Sequence, residues 1–576
     1  MAVVATAGHV DHGKSTLVRA LTGIEPDRWE EERRRGMTLD LGFAWTTLPS
    51  GHDVAFVDVP GHERFVPTML AGVGPVPAVV FVVAADEGWR QQSAEHLAAL
   101  DAFGVTHGLL VVTRADLADP APATAAAREA MATTSLAGTP AVAVSAVTGE
   151  GLDDVRAGLD TLIASLPEPL LDAPVRFWVD RSFTVRGAGT VVTGTLGAGT
   201  VRVGDELVAG GRRVTVRGVQ SSGVDLDLAR PVSRVALNLR GVGPADVGRG
   251  TALVAAGAWT SSASVDVRLD EDVERLPAQA VLHVGSAAVP VRLRPLAGDV
   301  VRLACDRELP WHVGDRALLR DPGAHRVIAG VTVLDPLPPS LRARGAAARR
   351  AAELAPTGHP DRDDELRRRG LVRTSALRAL GVPTSAADEL TPGWQASEAY
   401  VVRARERIAA VVDAADDVAG GVAGEEVRER VGLPDLALVR ALVDRPYELA
   451  AGRVRRAGAG VPPAVVAAVE RVLDRARPFA APEAATLSAA GLGSRELAAA
   501  VRGGLLEKVA DGVYLRAGAA GEAAGVVAGL PQPFTAAEAK NAWGTTRRVA
   551  MPLLESLAAR GVTVRTDDGR HRLRRA

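Results

Sequence analysis

The chain begins with a short apolar run, Ala2-Val3-Val4-Ala5, and similar runs recur at 54–57, 78–85, 109–112 and 142–144. Each is rich in valine or alanine and leads into a polar or glycine-containing segment, as a strand buried on both faces does. Helical stretches separate them, one over residues 91–103. This alternation predicts a doubly wound α/β domain over residues 1–171. The pattern then changes to short Val/Thr strands broken by glycine, with no helical period, as far as about Leu334. Two successive β-barrels are expected, at 172–256 and 257–340. Beyond Pro336-Leu337-Pro338-Pro339 the chain turns to helical segments rich in Ala, Arg and Leu.

Residues 341–576 divide into about four stretches of helices, each followed by a short β-like end, the pattern of tandem winged-helix units. In one clear example a helix at 497–502 is closed by Gly503-Gly504 and followed by Val513-Tyr514-Leu515-Arg516. In the last unit, about 521–576, a helix at 553–559 is closed by Arg560-Gly561 and followed by β-like segments at 562–565 and 570–573. Pro552 predicts that this helix starts nearby or is kinked.

Composition bounds the reading. A chain of 576 residues is too long for one core, and domains of roughly 100–150 residues imply several. The single cysteine, Cys305, excludes a disulfide framework and, with no signal peptide in view, predicts a reducing, cytoplasmic setting. No run of about 18 apolar residues predicts a membrane span, and a monomer is expected. The formal net charge of −2 argues against polyanion binding by the whole molecule. Locally the balance differs, because residues 521–576 carry nine basic side chains against five acidic ones.

The first apolar run leads into Gly8-His9-Val10-Asp11-His12-Gly13-Lys14-Ser15-Thr16, which fits G-x-x-x-x-G-K-[ST] between a strand and a helix. Backbone N–H groups of such a turn cradle phosphates at a helix N-terminus, the lysine reaches the terminal phosphates, and the hydroxyl of Ser15 ligates Mg²⁺. Of 67 basic residues only Lys14, Lys508 and Lys540 are lysines. One of the three thus stands where a compact ammonium cannot be exchanged for a guanidinium without changing the geometry.

Further candidates follow in order. Arg33-Arg34-Arg35-Gly36-Met37-Thr38 reads as a loop whose Thr38 completes the Mg²⁺ shell when a γ-phosphate is present. The strand at 54–57 runs into Asp58-Val59-Pro60-Gly61-His62. There Asp58 meets the Mg²⁺ shell, the Gly61 N–H faces the γ-phosphate, and His62 stands where a water-positioning catalytic residue belongs. At Thr113-Arg114-Ala115-Asp116 the carboxylate can accept both the ring N–H and the exocyclic amine of guanine, which points to GTP and GDP. Thr113 and Arg114 depart from the usual N-K-x-D, so faster GDP release is expected. Ser145-Ala146, after the last run, fits the segment whose backbone touches the guanine edge.

Together Asp11-His12-Gly13-Lys14 and Asp58-Val59-Pro60-Gly61-His62 resemble the translational GTPases of the elongation factor Tu class. Phe183-Thr184-Val185-Arg186-Gly187-Ala188-Gly189-Thr190-Val191-Val192-Thr193-Gly194-Thr195 looks like the opening hairpin of the barrel that follows the GTPase domain in that class. Within it, Arg35-Gly36-Met37-Thr38-Leu39-Asp40-Leu41-Gly42-Phe43, Thr113–Asp116 and Val179-Asp180-Arg181-Ser182-Phe183-Thr184 resemble the bacterial selenocysteine-specific elongation factors. That resemblance implies a pocket for the aminoacyl selenium at Asp180, Arg181 and Arg234. A selenol is anionic at neutral pH, so guanidiniums can hold it where a serine hydroxyl cannot compete. Taken without the resemblance, the same residues read as a surface or interdomain salt bridge.

The resemblance further implies three partners: selenocysteyl-tRNA, the ribosome, and a selenocysteine insertion hairpin in messenger RNA. In the last winged-helix unit, Thr545, Thr546, Arg547 and Arg548 open the expected recognition helix and Arg570, Arg572, Arg574 and Arg575 lie on the wing. Basic residues on both elements suit an RNA backbone and splayed loop bases. The alternative is a regulatory GTPase whose winged helices bind nucleic acid or protein, with no aminoacyl-tRNA cargo.

Overall fold

Valine-rich runs without polar interruption are stable only when both faces are covered, and in the computed structural model they form one six-stranded sheet. The structure describes residues 2–26, 38–271, 275–356, 358–415, 421–457, 461–474, 477–566 and 568–574. Arg33–Met37 and Arg575, named above, lie outside them. The strands are β1 (Ala2–Ala7), β2 (Gly42–Thr47), β3 (Asp53–Asp58), β4 (Ala78–Ala84), β5 (His107–Thr113) and β6 (Ala141–Ala143), in the order β2-β3-β1-β4-β5-β6. Only β2 is antiparallel to its neighbour, with Gly42 opposite Asp58.

Alternate side chains of β4 feed two cores. Val79, Phe81 and Val83 pack with Leu97 and Leu100 of the helix Gln91–Phe103. Val80 and Val82 pack on the other face with Leu17 and Val18 of α1 (Lys14–Thr22) and with Leu159. The parallel strands therefore end at one edge, and the loops after β1, β3, β5 and β6 open there, where ligands of doubly wound sheets bind.

Two barrels follow. In the first, Arg176–Val185, Gly189–Leu196, Ser233–Arg240, Arg212–Ser221, Glu206–Ala209 and Ala252–Ala255 pair in a ring that closes on itself. The second is a closed barrel of Thr260–Leu269, Val300–Trp311, Ala287–Ala297, Gln279–Val284, Arg316–Asp321 and Arg326–Asp335. It rests on the α/β domain: Leu318 joins the core beneath Gln91–Phe103, and Arg316 donates to the Ala102 carbonyl at 2.7 Å.

The helices Ala346–Leu354 and Arg362–Arg369 are tied to the second barrel by buried charges. Asp266 accepts from Arg302 at 2.6 Å and from Arg350 at 2.9 Å, and Asp335 is shared by Arg350 and Arg369. Each carboxylate is satisfied by two guanidiniums, which is what makes burial of these ions tolerable.

The chain divides into two compact units, one holding residues 1–389 with 393–395 and the other 390–392 with 396–576. The second contains three successive sets of three helices and a hairpin. They are Glu398–Asp413, Gly424–Val431 and Leu436–Leu442 with Tyr447–Ala450 and Arg453–Arg456; Pro463–Leu473, Ala484–Ala489 and Ser494–Arg502 with Leu506–Ala510 and Val513–Arg516; and Ala519–Ala528, Ala536–Ala542 and Arg547–Ala559 with Thr563–Arg565 and His571–Leu573. The helix Arg547–Ala559 runs through Pro552 as one element, because a single lost donor near the first turn is tolerated when Val549, Leu553 and Leu557 are buried. Among the described residues no helix is long and apolar enough to cross a membrane.

Candidate functional site

The loop after β1 is held open from below. Gly8 has φ 127, and a Cβ there would lie 2.1 Å from the Val82 carbonyl oxygen, so no other residue fits. The Gly8 N–H donates to Nδ1 of His96 at 3.0 Å and the Val10 N–H to Oε1 of Gln92 at 3.2 Å. These two side chains sit one turn apart on the helix Gln91–Phe103 and were not singled out from the sequence. Their i, i+4 spacing just beyond β4 was the available signal. Lys14 Nζ donates to the carbonyls of Gly8 at 3.0 Å and His9 at 2.7 Å, spanning the loop where terminal phosphates belong.

Burial disfavours the charged form of His9, His12 and His96 around the loop. Burial pushes His12 down to about 4, helped by His9 and Lys14 and opposed by Glu87. Fully buried His96 is pushed down to about 3 by desolvation first and then by Lys14 and His9. With Nδ1 accepting from Gly8, the neutral ring of His96 carries its proton on Nε2.

Three residues far apart in sequence meet beside Lys14. Ser15 Oγ donates to Asp58 Oδ2 at 2.6 Å and lies 2.9 Å from Thr38 Oγ1. The other oxygen of Asp58 accepts from Thr6 at 2.7 Å, which fixes the carboxylate. Two hydroxyls and one carboxylate are the hard oxygen donors that Mg²⁺ takes. Gly61 crosses the loop so closely that a Cβ would lie 2.5 Å from both Lys14 Nζ and the Val10 nitrogen. His62 follows, half-buried, with Nδ1 accepting from the Arg64 N–H at 3.2 Å.

On the base side, Thr113 donates its hydroxyl to the His12 carbonyl at 2.7 Å. Although the expected asparagine is missing, this hydroxyl still ties the base-side segment to the phosphate loop. Arg114, at φ 56, reaches Asp86 at 2.9 Å, Glu87 at 3.0 Å and the Asp11 carbonyl. Asp116 is exposed, and Ser145 is buried with Oγ accepting from the Thr148 N–H at 3.1 Å. The Ala115 N–H donates to the Val144 carbonyl at 3.2 Å, so the segments that carry Asp116 and Ser145-Ala146 lie side by side.

A second cluster lies where the first barrel faces β2. A β-bulge between Val179 and Arg181 makes Asp180 the extra residue of its strand, which re-aims successive side chains that would otherwise face opposite ways. Asp180, almost fully buried, receives both terminal nitrogens of Arg234, one at 2.8 Å, and the hydroxyl of Thr193 at 2.9 Å. The guanidinium of Arg234 lies 3.7 Å from the ring centroid of Phe43, and that of Arg181 lies 4.8 Å from it. Phe43, Trp45, Arg181, Phe183 and Arg234 help to line a cavity of about 280 Å³. Arg249 joins the cluster, donating from Nε to the Asp180 carbonyl at 3.0 Å. The cluster thus holds three guanidiniums against the carboxylates of Asp180 and Asp40.

The expected RNA-facing residues divide. Thr545 donates to the Phe479 carbonyl at 2.5 Å, and Arg548 reaches the carbonyls of Ala481 and Pro482 at 3.1 and 3.2 Å, so both tie the last winged helix to the segment that leads into the helix Ala484–Ala489 of the preceding set. Thr546, Arg547, Arg570 and Arg572 are exposed, and Arg570 lies 3.7 Å from Asp568. Val564 pairs with Arg572 in the wing.

Comparison with known proteins gives a consistent picture. The family model described as "Elongation factor Tu GTP binding domain" matches residues 1–173. "Selenocysteine-specific elongation factor, beta-barrel domain" matches 262–340, and "Elongation factor SelB, winged helix" matches 526–572. The chain is 35% identical over 358 residues to a selenocysteine-specific elongation factor of Desulfomicrobium baculatum, covering 59% of this chain and 56% of that protein. The alignment thus spans little more than half of that relative. It is 32% identical over 293 residues to elongation factor Tu 2 of Streptomyces avermitilis, covering 46% of this chain and 75% of that one. A crystal structure of bacterial selenocysteine-specific elongation factor EF-Sec, 26% identical, superposes with a TM-score of 0.75 and covers 100% of both chains.

Proposed function

The chain belongs to the selenocysteine-specific elongation factors, within the elongation factor Tu class of translational GTPases, and from this premise we propose that it carries selenocysteyl-tRNA to the ribosome in its GTP state. There it decodes a recoded stop codon while its last winged helix holds a hairpin in the messenger RNA. The observation that carries the cargo reading is the pair of guanidiniums, Arg181 and Arg234, stacked on Phe43 beside the buried Asp180. A preformed cationic pocket in a partly dry interface favours a selenolate over a neutral hydroxyl.

Bound GTP lies at the open edge of the sheet. Backbone N–H groups of the loop at 8–16 hold the phosphates, Lys14 leaves its two loop carbonyls for the terminal phosphates, and Asp116 with Ser145-Ala146 reads guanine. Ser15, Thr38 and Asp58 are the residues that would hold Mg²⁺, whose charge offsets that developing on the phosphates. His62, beside Gly61 at the γ-phosphate position, orients the attacking water once the ribosome brings it into place. In the last unit Thr546, Arg547, Arg570 and Arg572 face the RNA, and Thr545 and Arg548 shape the surface that presents them. The cytoplasm is where such a factor works.

A regulatory GTPase without tRNA cargo is not favoured, since the barrel and winged-helix matches fall outside the GTPase domain. The test is a reconstituted ribosomal reaction with selenocysteyl-tRNA and a message carrying the stop codon, with and without its hairpin. Selenocysteine incorporation that needs this protein, GTP and the hairpin is expected; no incorporation would overturn the reading.

A further inference from the structure

The segment that carries Thr38 continues directly into the floor of the arginine pocket. Thr38 lies beside Ser15 and Asp58, two residues later comes Asp40, and three after that Phe43, on which Arg181 and Arg234 stack. Asp40 is gripped from the barrel side by both of its oxygens. Arg249 Nη2 donates to Oδ1 at 2.5 Å and Arg181 Nη2 to Oδ2 at 3.2 Å. Arg181 also donates to the Leu41 carbonyl, and Arg249 Nε to the Asp180 carbonyl at 3.0 Å. Burial would raise the Asp40 carboxyl, but hydrogen bonding and charge from Arg249, with a further contribution from Arg181, outweigh it and hold the acid below its ordinary range.

We propose that Asp40 and Arg249 form a latch coupling the nucleotide state to the cargo pocket, so that the γ-phosphate, by fixing Thr38, fixes Asp40 and through it the position of Arg181. Arg249 is a positioning residue here: it touches the backbone of Asp180 and the side chain of Asp40 and clamps one to the other. When the segment at 38–40 leaves its GTP-state position, Arg181 loses its anchor, and the pocket loses the geometry that lets two guanidiniums meet one selenolate. Such a coupling is reciprocal: bound selenocysteyl-tRNA favours GTP over GDP by the same factor as GTP favours selenocysteyl-tRNA. A surface ion pair alone would be worth little. Here Asp40 bridges two arginines that are themselves partly buried, and it joins two elements that share Phe43.

This inference rests on the cargo reading above, and the test separates the two. Selenocysteyl- and seryl-tRNA binding is measured with a non-hydrolysable GTP analogue and with GDP, for the unaltered protein and for Asp40→Asn, Arg249→Lys and the double variant. The unaltered protein is expected to prefer selenocysteyl-tRNA in the GTP-analogue state; if it does not, the cargo reading itself fails. Given that preference, each single variant should lower the ratio of GTP-state to GDP-state affinity for selenocysteyl-tRNA by about fivefold or more, the usual scale of site coupling. The double variant should lose little beyond either single one, and affinity for the GTP analogue without tRNA should stay unchanged. Asp40→Asn is nearly isosteric and Arg249→Lys keeps the charge, so both should fold. Unchanged state ratios, or a lowered melting temperature with the ratios intact, would overturn the latch.

Discussion

The phosphate loop and the arginine pocket are both proposed to hold an anion, and they are built from different material. The loop at 8–16 presents backbone N–H groups, and it needs glycine where a Cβ would collide, at Gly8 within it and at Gly61 crossing it, and one compact cation, Lys14. The pocket works through side chains: Arg181 and Arg234 flattened on Phe43, a bulge at Asp180, and Asp180 and Asp40 as counter-charges. A backbone site suits a polyanion held at many points. A guanidinium site suits one soft anion whose neutral analogue must be rejected. The buried cluster of Asp266, Asp335, Arg302 and Arg350 is a useful contrast, because its ion pairs tie a helix to the second barrel.

The largest effect expected at the first site comes from His62→Ala. Ribosome-stimulated GTP hydrolysis should fall by about 100-fold or more, the range for losing a positioned acid–base group, with nucleotide affinity nearly unchanged. Single-turnover hydrolysis on ribosomes checks this, and an unaltered rate removes His62 from the mechanism. At the second site, Arg234→Ala strands Asp180 in a buried setting. Selenocysteyl-tRNA binding should weaken by roughly 30-fold or more, the cost of breaking a buried charge pair at an interface, whereas seryl-tRNA binding should change much less.

Smaller effects sharpen the contrast. In the last unit Arg572→Ala should weaken hairpin binding only several-fold and reduce the slope of log affinity against log salt by about one; a titration at several salt concentrations reads it. Arg548→Ala, whose side chain ties the last set to the preceding one, should lower thermal stability instead.

The two anion sites should also differ in their pH response. Unfolded histidines take up protons near pH 6.5, but folded His12 and His96 do so only near 4 and 3. The unfolded state therefore binds more protons between these values, and stability should fall as pH drops from 6.5 towards 4. A melting series over that range, repeated with His96→Gln, would show a shallower decline in the variant. The pocket offers only arginines and aspartates, so any loss of selectivity on mild acidification should follow the cargo selenol instead.

This difference in material also explains what was legible in the sequence. The loop, Asp58-Val59-Pro60-Gly61-His62 and Asp116 are contiguous motifs at strand ends, because backbone geometry restricts neighbouring residues. The barrels and winged helices were legible as changes of period, and the helix expected to start near Pro552 begins at Arg547. Asp180, Arg181 and Arg234 came from resemblance, since residues that meet across 54 positions leave no local spacing to read. Asp40, Phe43 and Arg249 had no assigned role for the same reason, and Gln92 and His96 act on the loop from a helix more than 80 residues away. Only the glycines flanking Arg249 hinted that its backbone sits in a special place.

The central claim is that the guanidinium pocket selects the cargo. It is tested most directly by measuring, in the GTP-analogue state, the affinities of selenocysteyl- and seryl-tRNA of identical nucleotide sequence. Strong preference for the selenocysteyl form, lost in Arg234→Ala, is the predicted result. Equal affinities in the unaltered protein would contradict it.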